Sequence, residues 1–248
     1  LLNLSKSSPI SFQKRIRVLL KSLQKLVIPT RIQECKLVTQ LKSIFLGHDS
    51  VYTHAYYRDI VEDSAKESAA KISSSIVNEF APKRVIDVGC GTGALLEALR
   101  NRGCDVFGLE YSKAGLSYCA TRGIAVKSFD IRTDTFTPGE PFNLALSMEV
   151  AEHLPESSAD HYISLLTKLA EVIVFTAATP GQGGLDHINE QPNSYWVSKF
   201  DEKGFNYHRE QSKLLRQDWK DSSTVSSWYY QNLMIFERQS KSSIESQV

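Results

Sequence analysis

The segment Val85-Ile-Asp-Val-Gly-Cys-Gly-Thr-Gly-Ala-Leu-Leu constrains the chain most, because a short apolar run breaks into three glycines and then enters a helical pattern. Glycine belongs where a backbone turns tightly and approaches a ligand with no Cβ in the way. The loop therefore cradles a ligand at the carboxyl end of a buried strand. Gly89, Cys90, Gly91 and Gly93 are its candidate binding residues.

The pattern around the loop sets the fold class. From Lys83 onward, short β-rich runs alternate with helix-length segments, which signals a parallel sheet of βαβ units. The runs are Arg84 to Val88, Asp105 to Leu109, Ile124 to Phe129, Asn143 to Met148 and Val172 to Ala177, with later candidates at Phe205 to Arg209 and Asn232 to Arg238. The expectation is an α/β fold: a single doubly wound, Rossmann-like, seven-stranded sheet with helices on both faces, over residues 51–240. A helix around Asp59 to Phe80 precedes it and ends before Pro82. An N-terminal helical extension, residues 1–50, is expected as two helices: Ile16, Leu19, Leu20, Leu23 and Leu26 fall at helical spacing, Pro29 breaks the run, and Ile32 to Phe45 resumes it. Residues 241–248 read as a polar tail.

Charge separates these parts. Residues 1–48 hold nine Lys or Arg against the single acid Glu34, about +8, while the rest carries 20 basic and 27 acidic residues, about −7, within a net charge of +1. Such an arm suits an anionic partner, a lipid surface or the chain's own acidic domain. With 42% hydrophobic residues the chain can bury a full core, which excludes disorder as its main state. No run approaches the roughly 20 apolar residues of a membrane span. The run over residues 16–28 is interrupted by Arg17, Lys21 and Lys25, and no small-residue cleavage site follows it, so a cytoplasmic protein is expected. Cys35, Cys90, Cys104 and Cys119 form no CxxC pair and read as reduced thiols.

Spacing alone leaves the ligand open. Gly89, Gly91 and Ala94 satisfy G-x-G-x-x-A, and Glu110 follows 21 residues after Gly89, as in a dinucleotide fingerprint. Two features oppose that reading. Only about 155 residues follow the loop, too few for a second half-sheet and a substrate domain, and Asp87 would set negative charge beside a pyrophosphate. A cationic cofactor turns the second objection into support. The phrase Asp87-Val-Gly-Cys-Gly-Thr-Gly resembles motif I of the class I S-adenosylmethionine-dependent methyltransferases, a resemblance extending over about residues 50–240. It implies that Asp87 lies near the cationic methionyl end of S-adenosyl-L-methionine, that Glu110 in Phe-Gly-Leu-Glu-Tyr holds the ribose hydroxyls, and that Asp130 in Ser-Phe-Asp-Ile approaches the adenine amino group beside Ile131. Tyr57, Tyr111 and Met148 complete the implied cofactor set. Upstream, Tyr52, His54, Tyr56 and Tyr57 suit either a lid whose aromatic faces meet a sulfonium or plain packing of a helix on the sheet.

The acceptor side is read from Ser147-Met-Glu-Val-Ala-Glu-His-Leu. If a helix starts there, Glu149, Glu152 and His153 stand at i, i+3 and i+4 and share a face. The pattern Glu-x-x-Glu-His resembles the corresponding motif of ubiquinone-pathway O-methyltransferases and small-RNA 3′-terminal 2′-O-methyltransferases. That resemblance implies Mg²⁺ or another divalent ion on Glu149, Glu152 and His153, with His187 as a fourth ligand. Two alternatives stay open: Glu149 orients cofactor groups while His153 packs, or His153 is a general base without metal. Catalytic candidates are thus His153, His187 and Glu149. A long loop after the fifth strand, rich in Gly and Pro, adds Glu190 and Tyr195, and Tyr52 joins them as a possible substrate contact. Trp196 and Phe200 read as core, and Trp228-Tyr229-Tyr230 as structural.

The expected function is methyl transfer to an O or N atom of a small-molecule acceptor in biosynthesis, of quinone, sugar or secondary-metabolite type, by a monomer or homodimer. Two rivals remain: an RNA ribose 2′-O-methyltransferase using the basic arm on phosphates, and a cofactor-binding scaffold without catalysis. The fourth strand is not followed by the Asn/Asp-Pro-Pro-Tyr type motif of many base and protein-amide methyltransferases, which argues against those acceptors and leaves ribose methylation open; a small molecule, not nucleic acid, is the expected partner.

Overall fold

A computed structural model describes residues 51–240. The basic helices expected within residues 1–50, Cys35 and the polar tail 241–248 lie outside the described residues.

Seven strands form one sheet in the order β3-β2-β1-β4-β5-β7-β6. They are β1 (Arg84–Val88), β2 (Asp105–Glu110), β3 (Val126–Ser128), β4 (Phe142–Met148), β5 (Ala170–Thr176), β6 (Phe205–Tyr207) and β7 (Met234–Arg238). The first five are parallel, and β7 runs antiparallel between β5 and β6. Because β1 pairs with β2 on one side and β4 on the other, the winding reverses there, and a crevice opens at the carboxyl ends of these strands. The glycine loop leaves β1 at that point.

Alternation along the central strands divides the core between the two faces. Ile86, Ala145, Phe175 and Phe236 point into one cluster with Trp196 and Phe200, whereas Val85, Leu144, Val174 and Ile235 point into the other with Ile72, Ile76 and Trp219. Phe175 is fully buried against the rings of Trp196, Phe200 and Phe236. Trp196 and Phe200 are core, as their spacing implied. The helices covering the sheet are α1 (Glu62–Phe80), α2 (Ala94–Arg100), α3 (Lys113–Thr121), α4 (Ala159–Leu169), α5 (Asn193–Asp201), α6 (Arg209–Lys220) and α7 (Ser227–Asn232). Ser64 and Ser68 of α1 hydrogen-bond Ser226 at the start of α7, joining the two helices across the crevice mouth. Cys90, Cys104 and Cys119 are free thiols. No helix among the described residues is long and apolar enough to cross a membrane.

Among the boundaries that differ from expectation, three do so for evident local reasons. The strand expected over Ile124 to Phe129 contracts to Val126–Ser128, because at the sheet edge only β2 pairs with it. The last strand begins at Met234 because Asn232 ends α7. The helix expected to begin near Asp59 is entered through a π-helical turn, Tyr57–Val61.

One correction bears on chemistry. The helix that was to carry Glu149, Glu152 and His153 on one face does not form. Glu149 takes a left-handed φ of 55°, only a 3₁₀ turn spans Ala151–His153, and Leu154 is held extended by the following Pro155.

Candidate functional site

A cavity of about 610 Å³ fills the crevice. At one end the loop after β1 turns through Gly89, Gly91 and Gly93 with φ of 84°, 54° and 74°, values that disfavour any side chain. A Cβ on Gly89 would lie 2.6 Å from Val150 Cγ2, and one on Gly91 would face Tyr57 Cε1 at 3.6 Å. Gly93 sits off the cavity wall, where a Cβ would meet Cys119 Sγ at 2.9 Å. Cys90 lines the cavity.

Glu110, at the end of β2, is buried, and its two carboxylate oxygens accept the N–H groups of Gly91 at 2.8 Å and Ser112 at 2.7 Å. Burial pushes its pKa up, and those N–H bonds pull it back. Asp87, at the end of β1, is buried with Oδ1 lacking any hydrogen-bond partner, and burial followed by the charge of Glu110 raises its pKa to about 7. Neither carboxylate forms an ion pair with a described residue. An orphaned buried acid, a second acid beside it and a cradle that any Cβ would fill make a fit for a cationic ligand with a diol.

Around this core, Tyr57 from the π-helical turn accepts a hydrogen bond from Ser112 Oγ at 3.0 Å. Tyr52, Tyr56, Tyr111, Ile131 and Met148 line the same cavity, whereas His54 turns away to pack near Tyr118, ring centroids 5.8 Å apart. Asp130 also lines it, but Arg132 grips its carboxylate with Nε at 2.8 Å and Nη2 at 2.6 Å, and the guanidinium lies 5.3 Å from the Tyr111 ring centre. Sequence reasoning missed Arg132, although it stands two residues after Asp130.

The other end is assembled from the segments after β4 and β5. Glu149 donates its N–H to Thr176 Oγ1 at 2.8 Å, and its carboxylate accepts from Asn232 Nδ2 at 3.2 Å and Gln182 Nε2 at 3.4 Å. Asn232 and Gln182 carried no signal, since an isolated amide has no motif. Glu152 is fully buried, neither of its carboxylate oxygens has a partner in hydrogen-bond geometry, and burial plus the neighbouring Glu149 push it well above the usual carboxylate range.

Glu152, His153 and His187 each offer a ligand atom within 4.8 Å of the others, and the two imidazole rings meet edge to face with centroids 4.9 Å apart. The structure thus brings together three of the four residues named for a metal, and Glu149 stands beside the group. The loop carrying His187 is tied down where Ile188 N and Asn189 N both donate to Glu152 O, at 2.9 and 3.0 Å. His153 Nδ1 is 3.2 Å from Asp186 O, and Asp186 is a second left-handed residue, φ 60°. Each such position costs about 1–3 kcal/mol, so the surrounding contacts hold this end under strain.

Two substrate assignments need correction. Tyr195 lies away from the cavity: it packs edge-on against Trp196, centroids 4.9 Å apart, with Lys199 Nζ over its ring. As the second residue after N-terminal Asn193 on α5, it points with the core side of that helix. Glu190 is also off the wall, because its carboxylate is committed to its own loop. Trp228, expected to be structural, is 40% exposed and lines the cavity together with Tyr229 and the exposed Ile60.

Residues 56–221, two thirds of the chain, match the family model described as methyltransferase domain. The chain belongs to this family, within the class I S-adenosylmethionine-dependent methyltransferases. A ubiquinone biosynthesis O-methyltransferase from Hahella chejuensis is 33% identical over 120 residues, covering 46% of this chain and 46% of that protein. The matched segments span under half the length of the curated relatives. A solved amino pentose methyltransferase from Micromonospora echinaspora, with SAM bound, aligns at a TM-score of 0.55 with 19% identity over 75% of this chain and 95% of that one. The magnesium protoporphyrin IX methyltransferase from Synechocystis PCC 6803, with bound SAM, gives a TM-score of 0.55 at 15% identity, covering 82% and 97%. At these identities the structural likeness speaks to fold. Family membership sets aside the dinucleotide reading of the glycine loop.

Proposed function

We propose that this methyltransferase moves a methyl group from S-adenosylmethionine to a hydroxyl oxygen of a small-molecule acceptor, within residues 51–240. The carrying observation is that one cavity has two buried carboxylates, Asp87 and Glu110, at one end and the Glu152, His153 and His187 group at the other. The cofactor supplies an electrophilic methyl on a sulfonium. Asp87 suits its positive charge and Glu110 its ribose, with Tyr57, Tyr111 and Ile131 beside them. Displacement needs the acceptor oxygen within about 3–3.5 Å of the methyl, so the walls chiefly position. A hydroxyl must also lose a proton, and two imidazoles facing the same space suit that task. An amine acceptor needs no such pair, which favours oxygen.

A second reading has a specific observation behind it. Glu152, His153 and His187 converge closely enough to hold a divalent ion, whose Lewis acidity would favour adjacent acceptor oxygens such as those of a catechol or sugar diol. The test is methyl transfer from labelled S-adenosylmethionine to a panel of catechols, sugar diols and amines, with Mg²⁺ and with chelator. Transfer to hydroxyls is the expected result, and loss of it under chelator selects the second reading. Transfer confined to amines contradicts the proposal.

A further inference from the structure

We infer that Glu190 is the positioning residue of His187, fixing that imidazole with its proton on Nδ1 and its lone pair on Nε2. The inference rests on the reading of His187 as an acceptor-side group. Glu190 Oε1 accepts the N–H of Gly183 at 2.7 Å and lies 3.1 Å from His187 Nδ1, while Oε2 accepts the N–H of Gly181 at 2.9 Å. The carboxylate therefore sits in a backbone cradle that leaves it one direction for the ring. Both carboxylate oxygens thus act as acceptors of backbone N–H groups, Oε2 from Gly181 and Oε1 from Gly183, as an ionised carboxylate does. An ionised carboxylate only accepts, so the contact requires Nδ1 to donate, and a neutral ring then carries its lone pair on Nε2.

Two further features point the same way. A Cβ on Gly184 would fall 2.2 Å from His187 Nε2, so only a glycine fits beside the ring's other edge. His153 has a parallel arrangement, because Nδ1 faces the carbonyl of Asp186, another pure acceptor. Both rings are thus turned by acceptors on Nδ1, one charged and one neutral. In His187, Nε2 is then the nitrogen that can meet an acceptor hydroxyl or a metal ion. Glu190 also links the 181–184 backbone to the ring, so displacement of that loop releases the imidazole. This accounts for a half-buried acid that lies close to the cavity without lining it.

The experiment is long-range ¹⁵N–¹H correlation of the His187 ring at alkaline pH on the wild type and on Glu190→Gln, Glu190→Ala and Glu190→Asp, each checked for a cooperative melt. Transfer kinetics and S-adenosylmethionine titration are run alongside. The expected wild-type spectrum is protonated Nδ1 with a bare Nε2. Glu190→Gln, whose amide can either accept from or donate to Nδ1, and Glu190→Ala should both give a mixture of tautomers. In both, kcat should fall about 10–100-fold, the usual range for a group orienting a functional histidine, with acceptor KM and cofactor Kd unchanged. Glu190→Asp should recover part of the Nδ1–H signal and of kcat. A wild-type ring protonated on Nε2, or a Glu190→Ala spectrum identical to wild type, overturns the inference. The spectrum needs no acceptor, so absence of transfer in an otherwise expected data set strikes the proposed function and leaves Glu190's role standing.

Discussion

The two ends of the cavity are built by different means. At the proposed cofactor end, cavity-lining groups sit at strand ends: Asp87 stands one residue before the end of β1, Glu110 closes β2, and the loop after β1 turns on glycines. At the acceptor end, Glu152, His153 and His187 come from two irregular segments some 35 residues apart, held by two left-handed residues, by backbone bonds to Glu152 O and by an amide network on Glu149. The first is rigid because the parallel sheet places it. The second is rigid only while its loop contacts hold, which makes it the part of the site best able to move and to vary.

Substitutions that separate the ends test this contrast. The largest effect is expected at the acceptor end, where His187→Ala or His153→Ala should lower the transfer rate by roughly 10²–10⁴-fold while the cofactor Kd stays at its wild-type value. A parallel loss of cofactor affinity would show that the ends are not separable. Next, Glu110→Ala leaves two backbone N–H groups unpaired and removes the proposed ribose partner, for which cofactor binding should weaken on the order of 100-fold by calorimetry.

Glycine substitutions cross-check both ends with smaller effects. Gly89→Ala places a methyl 2.6 Å from Val150 at a left-handed φ of 84°, and should cost about 1–3 kcal/mol of stability along with cofactor affinity. Gly184→Ala, which intrudes on His187, should lower kcat and spare cofactor binding. Equal behaviour of the two variants would erase the distinction.

The smallest expected effect is a pH dependence. Asp87 has its pKa raised to about 7 by burial and by Glu110, so it is largely neutral below that pH and charged above it. A sulfonium binds the charged form, so S-adenosylmethionine affinity should fall as pH drops below about 7, by no more than tenfold per unit. Binding near pH 6.5 should release a proton, and Asp87→Asn should flatten the profile. For the free protein the sign reverses. The raised pKa lets Asp87 contribute stability that is full below its unfolded value near 4 and is lost as pH rises through about 7.

The same contrast decides what could be read from the chain. The place of Gly89, Gly91, Asp87 and Glu110 on the cavity wall is legible because strand-end geometry is local: a residue's position in the crevice follows from its distance to the end of a strand. Glu149 was placed with Glu152 and His153 on a helix face that does not exist, since helical spacing gives no hint of a left-handed residue or of the stop imposed by Pro155. Tyr195 was assigned to the pocket because a loop was expected to run further, whereas α5 begins at Asn193 and turns that ring onto Trp196. The amides of Gln182 and Asn232 had no visible role because their meaning lies in a tertiary contact with Glu149.

The most direct test of a separable two-ended site is calorimetric titration of S-adenosylmethionine into wild type, Glu110→Ala and His187→Ala in parallel. Saturable one-site binding is expected in wild type and in His187→Ala, with affinity weakened on the order of 100-fold in Glu110→Ala. No binding to a well-folded wild-type protein, or equal binding by all three, would contradict a separable two-ended site.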